Sequence, residues 1–151
     1  IKSSAKYALV SPHPNGRLHS QLGNTSLRHT FEIQGREPIW INEKDAKDKD
    51  IEDGDVVRVF NERGQTLAGA FVTNRIKPGV VRMQEGAWYD PLDRKDPKAL
   101  CRHGNVNVLT LDVPTSKLSV ATTAGTAMVN FEKYVGEIPE ISIFKQPKTI
   151  K

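Results

Sequence analysis

The sequence predicts a mainly β fold: a small six-stranded β-barrel with long crossover loops and one short helix. Three observations point there. Six short runs rich in Val, Ile, Phe and Thr are separated by turn residues. One polar stretch with a capping residue interrupts them between the second and third run. Strands this short expose unpaired edges in an open sheet, and closing the sheet hides them.

Taken in order, Lys6 to Val10 reads as a strand that ends before Pro12, because proline cannot continue a central ladder. "EPIWI", Glu37 to Ile41, is the second strand. In "NEKDAKDKD", Asn42 suits an N-cap with Asp45 three residues on, a variant of the capping box, so 43–48 is expected as a short helix. Asp53-Gly54 makes a turn before the strand Val56 to Phe60, and "NERGQ" makes a hairpin turn before Thr66 to Thr73. Val80 to Met83 follows "KPG", and Ala127 to Tyr134 is the last strand. Two long segments, 11–36 and 84–126, fit no regular element. Connections of that length inside a compact domain are functional or disordered. The second carries Trp88, Tyr89, Leu100, Val108, Leu109 and Leu111, too much apolar surface for disorder, and is expected to fold against something.

At 151 residues, 37% apolar and 26% charged, the chain is expected to be one globular domain over 1–151. No apolar run approaches the roughly 18 residues of a membrane span, so no membrane insertion is expected. "IKSSAKYALV" has neither the apolar core nor the cleavage site of a signal peptide, and the start at Ile1 suggests a piece of a longer polypeptide. The lone Cys101 excludes a disulfide scaffold and leaves the compartment open. The net charge of +4 is concentrated early: residues 1–36 hold Lys2, Lys6, Arg17, Arg28 and Arg36 against the single acid Glu32. Such an excess favours an anionic partner such as a phosphate, or is simply a solvated basic face.

The chemistry narrows by elimination. His13, His19, His29 and His103 with Cys101 are zinc-ligand types, but H-x5-H and C-x-H match no recurring structural-zinc spacing, so no metal site is expected. Cys101 beside Arg102 and His103 could be an activated thiolate, yet a single cysteine in a polar loop is more often incidental. Ser20 and Ser116 lack a glycine-framed elbow. Aromatic residues are 7% and no basic helix or stacking platform is evident, so no nucleic-acid partner is expected. What remains is loop-borne binding of a polar, anionic small molecule. "SPHPNGRLHSQ" offers Arg17 for a bidentate phosphate contact and Ser11, Ser20 and Gln21 as neutral hydrogen-bonding groups. "HGNVNVLT" adds Gly104 for close backbone approach and two asparagines, although Gly104-Asn105 is also an ordinary turn.

The stretch from Glu37 to Asp90 resembles the C-terminal molybdopterin-dinucleotide-binding domain of the dimethyl sulfoxide reductase family. Its pattern runs P-x-x-I-N-x-x-D-A, then G-I-x-D-G-D-x-V-x-V-x-N-x-R-G, then P-G-V; here Asp50 stands where glycine is common. "GNVNVLT" is similar to the family's asparagine-containing cofactor loop. "SPHPNGRLHSQL" and "EGAWYDP" are most similar to the trimethylamine-N-oxide reductases, while the sulfoxide reductases share R-L-H-S-Q. The resemblance covers about residues 5–135.

It implies a double-psi β-barrel and a place in a larger reductase. The parent enzyme would hold bis(molybdopterin guanine dinucleotide) molybdenum and reduce trimethylamine N-oxide to trimethylamine by oxygen-atom transfer, with electrons from a c-type cytochrome. A sulfoxide is the alternative substrate, and a stand-alone double-psi barrel binding a nucleotide or protein is the alternative function. The serine that ligates molybdenum in such enzymes lies in an earlier domain, so this chain alone is not expected to be catalytic. Periplasmic location after folded export, in anaerobic respiration, is likewise implied. The cofactor contacts implied are Ser11, His13, Pro14, Arg17, His19, Ser20 and Gln21, then Glu85 and Gly86, then Asn105 and Asn107. Arg17 is expected to face the pyrophosphate or a pterin carbonyl. Trp88 and Tyr89 are candidates for a substrate funnel or for packing against the parent's other domains.

Overall fold

A computed structural model describes residues 4–121 and 126–146. Six strands close into a barrel: β1 (Tyr7–Val10), β2 (Pro38–Asn42), β3 (Val56–Phe60), β4 (Gln65–Thr73), β5 (Val80–Met83) and β6 (Thr126–Lys133). Around the barrel the order is β1-β5-β2-β4-β3-β6. β1 runs parallel to β5 and β2 parallel to β4, and the other neighbours are antiparallel. Two parallel pairs, each needing a crossover, agree with the expected double-psi barrel.

Period-two alternation sorts each strand's side chains. Leu9, Ile39, Ile41, Val57, Val59, Val81, Met83, Val129 and Phe131 point inward and share one core. A Leu or Ile buried this fully contributes about 1.5–3 kcal/mol over its exposed state. Outward positions are polar or stacked: Arg58 pairs with Glu132 at 2.7 Å, and the Arg75 and Arg82 guanidiniums lie 4.6 and 4.4 Å from the centre of the Trp40 ring. A smaller cluster of Val56, Leu67 and Leu100 packs outside the barrel.

The helix α1 (Glu43–Lys47) is capped by Asn42, whose side chain accepts from the Lys44 N–H. Asp45 does not complete a capping box. Its carboxylate instead accepts the Gly79 N–H at 2.7 Å, tying the helix to the turn before β5. Asp50 has φ 58°, the left-handed region that glycine favours, so the glycine common at this place in the family pattern has a conformational reason.

Among the described residues, both long segments carry local structure. The first contains a 3-10 turn, Ser26–Thr30, and an Ile33–Arg36 bridge; the second contains a 3-10 turn, Val106–Leu109, that buries Val106 and Leu109. Cys101 is fully buried, not in an open loop: its backbone bonds Gln65 and Leu67 on β4. The segment 139–144, which the sequence left unassigned, is strapped down. Arg36 donates to the Pro139 carbonyl, and Asp90 accepts from the Ser142 and Ile143 N–H groups.

Because β1 and β5 are parallel, with Val10 opposite Arg82, the loops after them leave from the same end of the barrel side by side. Their first residues extend the pairing through a Glu85 N–H to Pro12 carbonyl bond of 3.2 Å. This juxtaposition builds the candidate site.

Candidate functional site

His19, Ser20, Glu85, Gly86, Asn105 and Asn107 line one groove of about 470 Å³, together with Ala87, Trp88, Tyr89 and Ile143. The residues come from three loops distant in sequence. Asn105 and Asn107 lie around the start of the Val106–Leu109 turn, where the Asn105 side chain accepts the Asn107 N–H at 2.9 Å. That bond uses the Asn105 carbonyl oxygen and leaves its amide N–H₂ available. The Trp88 indole N–H donates to the Ser20 carbonyl at 3.0 Å, so its ring closes the groove against the first loop.

Two glycines let the loops meet. Gly86 has φ 91°, and a Cβ there would lie 2.0 Å from the His19 carbonyl oxygen. Gly104, expected to give close approach to a ligand, instead gives close approach to the protein: a Cβ would lie 2.5 Å from that of Glu37.

Arg17 occupies a different post from the expected one. Its guanidinium is buried, with Nη2 donating to Glu37 Oε2 at 2.9 Å and to the Glu85 carbonyl at 2.7 Å. Its Nε donates to the His19 carbonyl at 2.9 Å. One cation therefore ties together the two backbone segments that carry the groove's His19 and Glu85. Burial pushes Glu37 up to about 7 despite Arg17 beside it. Its second oxygen, Oε1, has no hydrogen-bond partner among the described residues.

Among the described residues the arginines of the early basic excess are drawn inward, while Lys6 is exposed. Arg28 bonds Glu32 at 2.8 Å and lies 4.1 Å from the Phe144 ring; Arg36 is buried on backbone carbonyls. Glu32 also takes buried His103 at 2.9 Å. Burial alone would raise the Glu32 carboxyl, but the hydrogen bonds from His103 and Arg28 outweigh it and hold it below its ordinary value. The acid that balances Arg17, Glu37, lies one residue beyond the basic stretch.

Of the other expected contacts, His13 and Gln21 are exposed, Pro14 is buried, and Ser11 sits at the end of β1 with its Oγ buried and without a partner among the described residues. His13 joins the groove through Glu85, whose Oε1 receives His13 Nδ1 at 2.6 Å and His19 Nδ1 at 2.5 Å. Sequence reasoning gave no positioning role to Glu37, Glu32 and Asp90, whose buried carboxylates hold the loops, and passed over Ile143, which the strapped tail delivers to the groove. A glutamate opening an apolar strand, as Glu37 does in "EPIWI", was the one available signal.

The comparisons agree with this geometry. The chain matches the family described as "Molydopterin dinucleotide binding domain" over residues 7–128. It is 50% identical over 144 residues to the trimethylamine-N-oxide reductase of Haemophilus influenzae, covering 95% of this chain and 18% of that protein. It is 52% identical over 142 residues to trimethylamine-N-oxide reductase 1 of Escherichia coli K12, covering 92% of this chain and 17% of that protein. The chain thus spans less than a fifth of the length of the curated relatives it matches. Among solved structures, acetylene hydratase from Pelobacter acetylenicus superposes with a TM-score of 0.66 over 86% of this chain and 18% of its own, at 12% identity, a likeness of fold. The chain belongs to the molybdopterin dinucleotide-binding domain family.

Proposed function

We propose that this chain is the domain that grips the pterin dinucleotide in a molybdenum oxidoreductase, and that the whole enzyme reduces trimethylamine N-oxide to trimethylamine. The observation that carries the reading is the groove: side chains from three loops converge on one cleft, and six of the expected contacts line it. The donor set fits a polar heterocycle. Asn105 and Asn107 each give and accept, Ser20 does both, and His19 offers an imidazole.

When bound, the cofactor would supply two-electron oxygen-atom transfer at its molybdenum. This chain's own part is to bind and orient. The Arg17 tie fixes the His19 and Glu85 backbones, so those side chains meet the ligand without reordering, and Trp88 shields one side of the groove from water. A guanine form of the dinucleotide, held as a pair on one molybdenum, follows from the family resemblance. So do a c-type cytochrome as electron donor and a periplasmic location. The remaining domains would supply the serine ligand and most of the substrate pocket, with residues 1–151 as one unit at the C-terminal end. The strong similarity to trimethylamine-N-oxide reductases favours the N-oxide over a sulfoxide.

The test uses the whole reductase with Ser20→Ala and Asn105→Ala combined. The expected result is a fall in bound molybdenum to under half, with the unaltered enzyme turning over trimethylamine N-oxide faster than dimethyl sulfoxide. Full molybdenum content in the double variant would overturn the binding role, and a preference for the sulfoxide would overturn the substrate.

A further inference from the structure

We propose that His13, His19 and Glu85 form a three-ligand site for a divalent transition-metal cation such as zinc, taking two of its three ligands from the lining of the dinucleotide groove. Both Nδ1 atoms approach the same carboxylate oxygen, at 2.6 and 2.5 Å, and the three ligand atoms all lie within 4.8 Å of one another. Metal–ligand bonds of about 2.1 Å in tetrahedral geometry place neighbouring ligand atoms about 3.4 Å apart. Both nitrogens lie closer to the carboxylate oxygen than that, so an entering ion needs ångström-scale outward rotations of these side chains.

The two imidazoles are edge-to-face, with centroids 5.0 Å apart and planes at 90°, so neither ring obstructs the other's approach to a shared ion. Two imidazoles and one carboxylate are a borderline nitrogen and oxygen set that suits zinc, cobalt, nickel or copper over magnesium or calcium. The fourth position faces solvent, because the His13 and His19 side chains are 75% and 59% exposed. Water would fill it.

What separates this cluster from a chance meeting of surface side chains is the layer beneath it. The His19 and Glu85 carbonyls are both held by the buried Arg17 guanidinium. Gly86 lets the second loop pass directly under the His19 carbonyl. Two of the three ligand-bearing backbones, those of His19 and Glu85, are therefore fixed relative to each other before any ion arrives, which lowers the ordering cost of binding. In taking the ion, each ring carries its proton on Nε2 and coordinates through Nδ1.

The site stands on the triad's geometry. Competition between the cation and the dinucleotide, which share His19 and Glu85, rests on the proposed function. The test titrates the chelator-stripped full chain with zinc by calorimetry and with cobalt by visible absorption. The expected result is one ion per chain, with affinity reduced about tenfold or more in each of His13→Ala, His19→Ala and Glu85→Gln, and unchanged in His29→Ala. His13 is exposed, so its variant remains folded and keeps the test decisive. Equal binding by all four variants, or no stoichiometric binding by the native chain, would overturn the proposal. A chain that binds zinc at the triad and ignores the dinucleotide would support the site and count against the function proposed above.

Discussion

Replacing Glu37 by glutamine should remove a pH dependence of stability, because this carboxyl is fully buried and its proton is held up to about pH 7. In the unfolded chain the same group titrates near 4.5. Between those values the native state keeps a proton that the unfolded state has lost, so stability falls as pH rises through this window and levels off above it. At about 1.4 kcal/mol per tenfold change in proton affinity, the displacement amounts to about 3 kcal/mol. Glutamine keeps the shape and cannot ionise. The variant should match the native chain within about 1 kcal/mol near pH 4.5, where Glu37 is neutral, and exceed it by about 2–3 kcal/mol near pH 8. Urea unfolding of both chains at half-unit steps from pH 4.5 to 8 measures the difference directly. The contrary outcome is a variant weaker than the native chain by about 3–5 kcal/mol at pH 8, the cost of stranding Arg17 in the interior. That would make the ion pair dominant over desolvation and refute the reasoning.

Gly86→Ala should separate the two loops, since the new Cβ cannot share space with the His19 carbonyl at 2.0 Å; backbone amide shifts at His19 and Ser20 and a stability loss of about 1–3 kcal/mol report it. Asp90→Asn should loosen the 139–144 strap, because Asp90 accepts from the Ser142 N–H and hydroxyl, each at 2.7 Å, and from Arg102 at 2.8 Å. The expected cost is about 2 kcal/mol, with faster proteolysis in the strap. Burial alone would raise the Asp90 carboxyl, but the Ser142 hydrogen bonds and Arg102 hold it below its ordinary value. Its contribution is therefore present at neutral pH and lost as pH falls below about 4, where proteolysis of the native strap should accelerate. Asp50→Gly should stabilise the chain by about 0.5–1 kcal/mol in thermal unfolding, relieving a positive φ of 58° after the helix.

The barrel was legible because its signals are local. Alternation in "VVRVF" and in "MVNFEK" sets which side chains face the core, and proline and glycine set where strands stop. The strand expected at Lys6 to Val10 and the one found at Tyr7 to Val10 differ by one fraying residue. Three loops of the site were legible through their density of hydrogen-bonding side chains. The roles inside them were not. Arg17 reads as an anion-binding arginine until the fold places Glu37, twenty residues away, against it. The same holds for Gly104, whose close neighbour is Glu37, and for His13, His19 and Glu85, whose convergence depends on the parallel pairing of β1 with β5. The 139–144 strap had no periodicity to read, because side chains elsewhere, Asp90, Arg36 and Arg102, hold its backbone.

The central claim is that the groove between the three loops binds the pterin dinucleotide. The direct measurement is a titration of this chain with molybdopterin guanine dinucleotide, or with GDP as its fragment, followed by backbone amide shifts. Binding there would concentrate the perturbations at Ser11–Gln21, at Glu85 and Gly86, and at Gly104–Thr110. Perturbations gathered instead on the separate groove lined by Lys49, Arg58 and Lys133, or no perturbation at millimolar ligand, would contradict binding between the three loops.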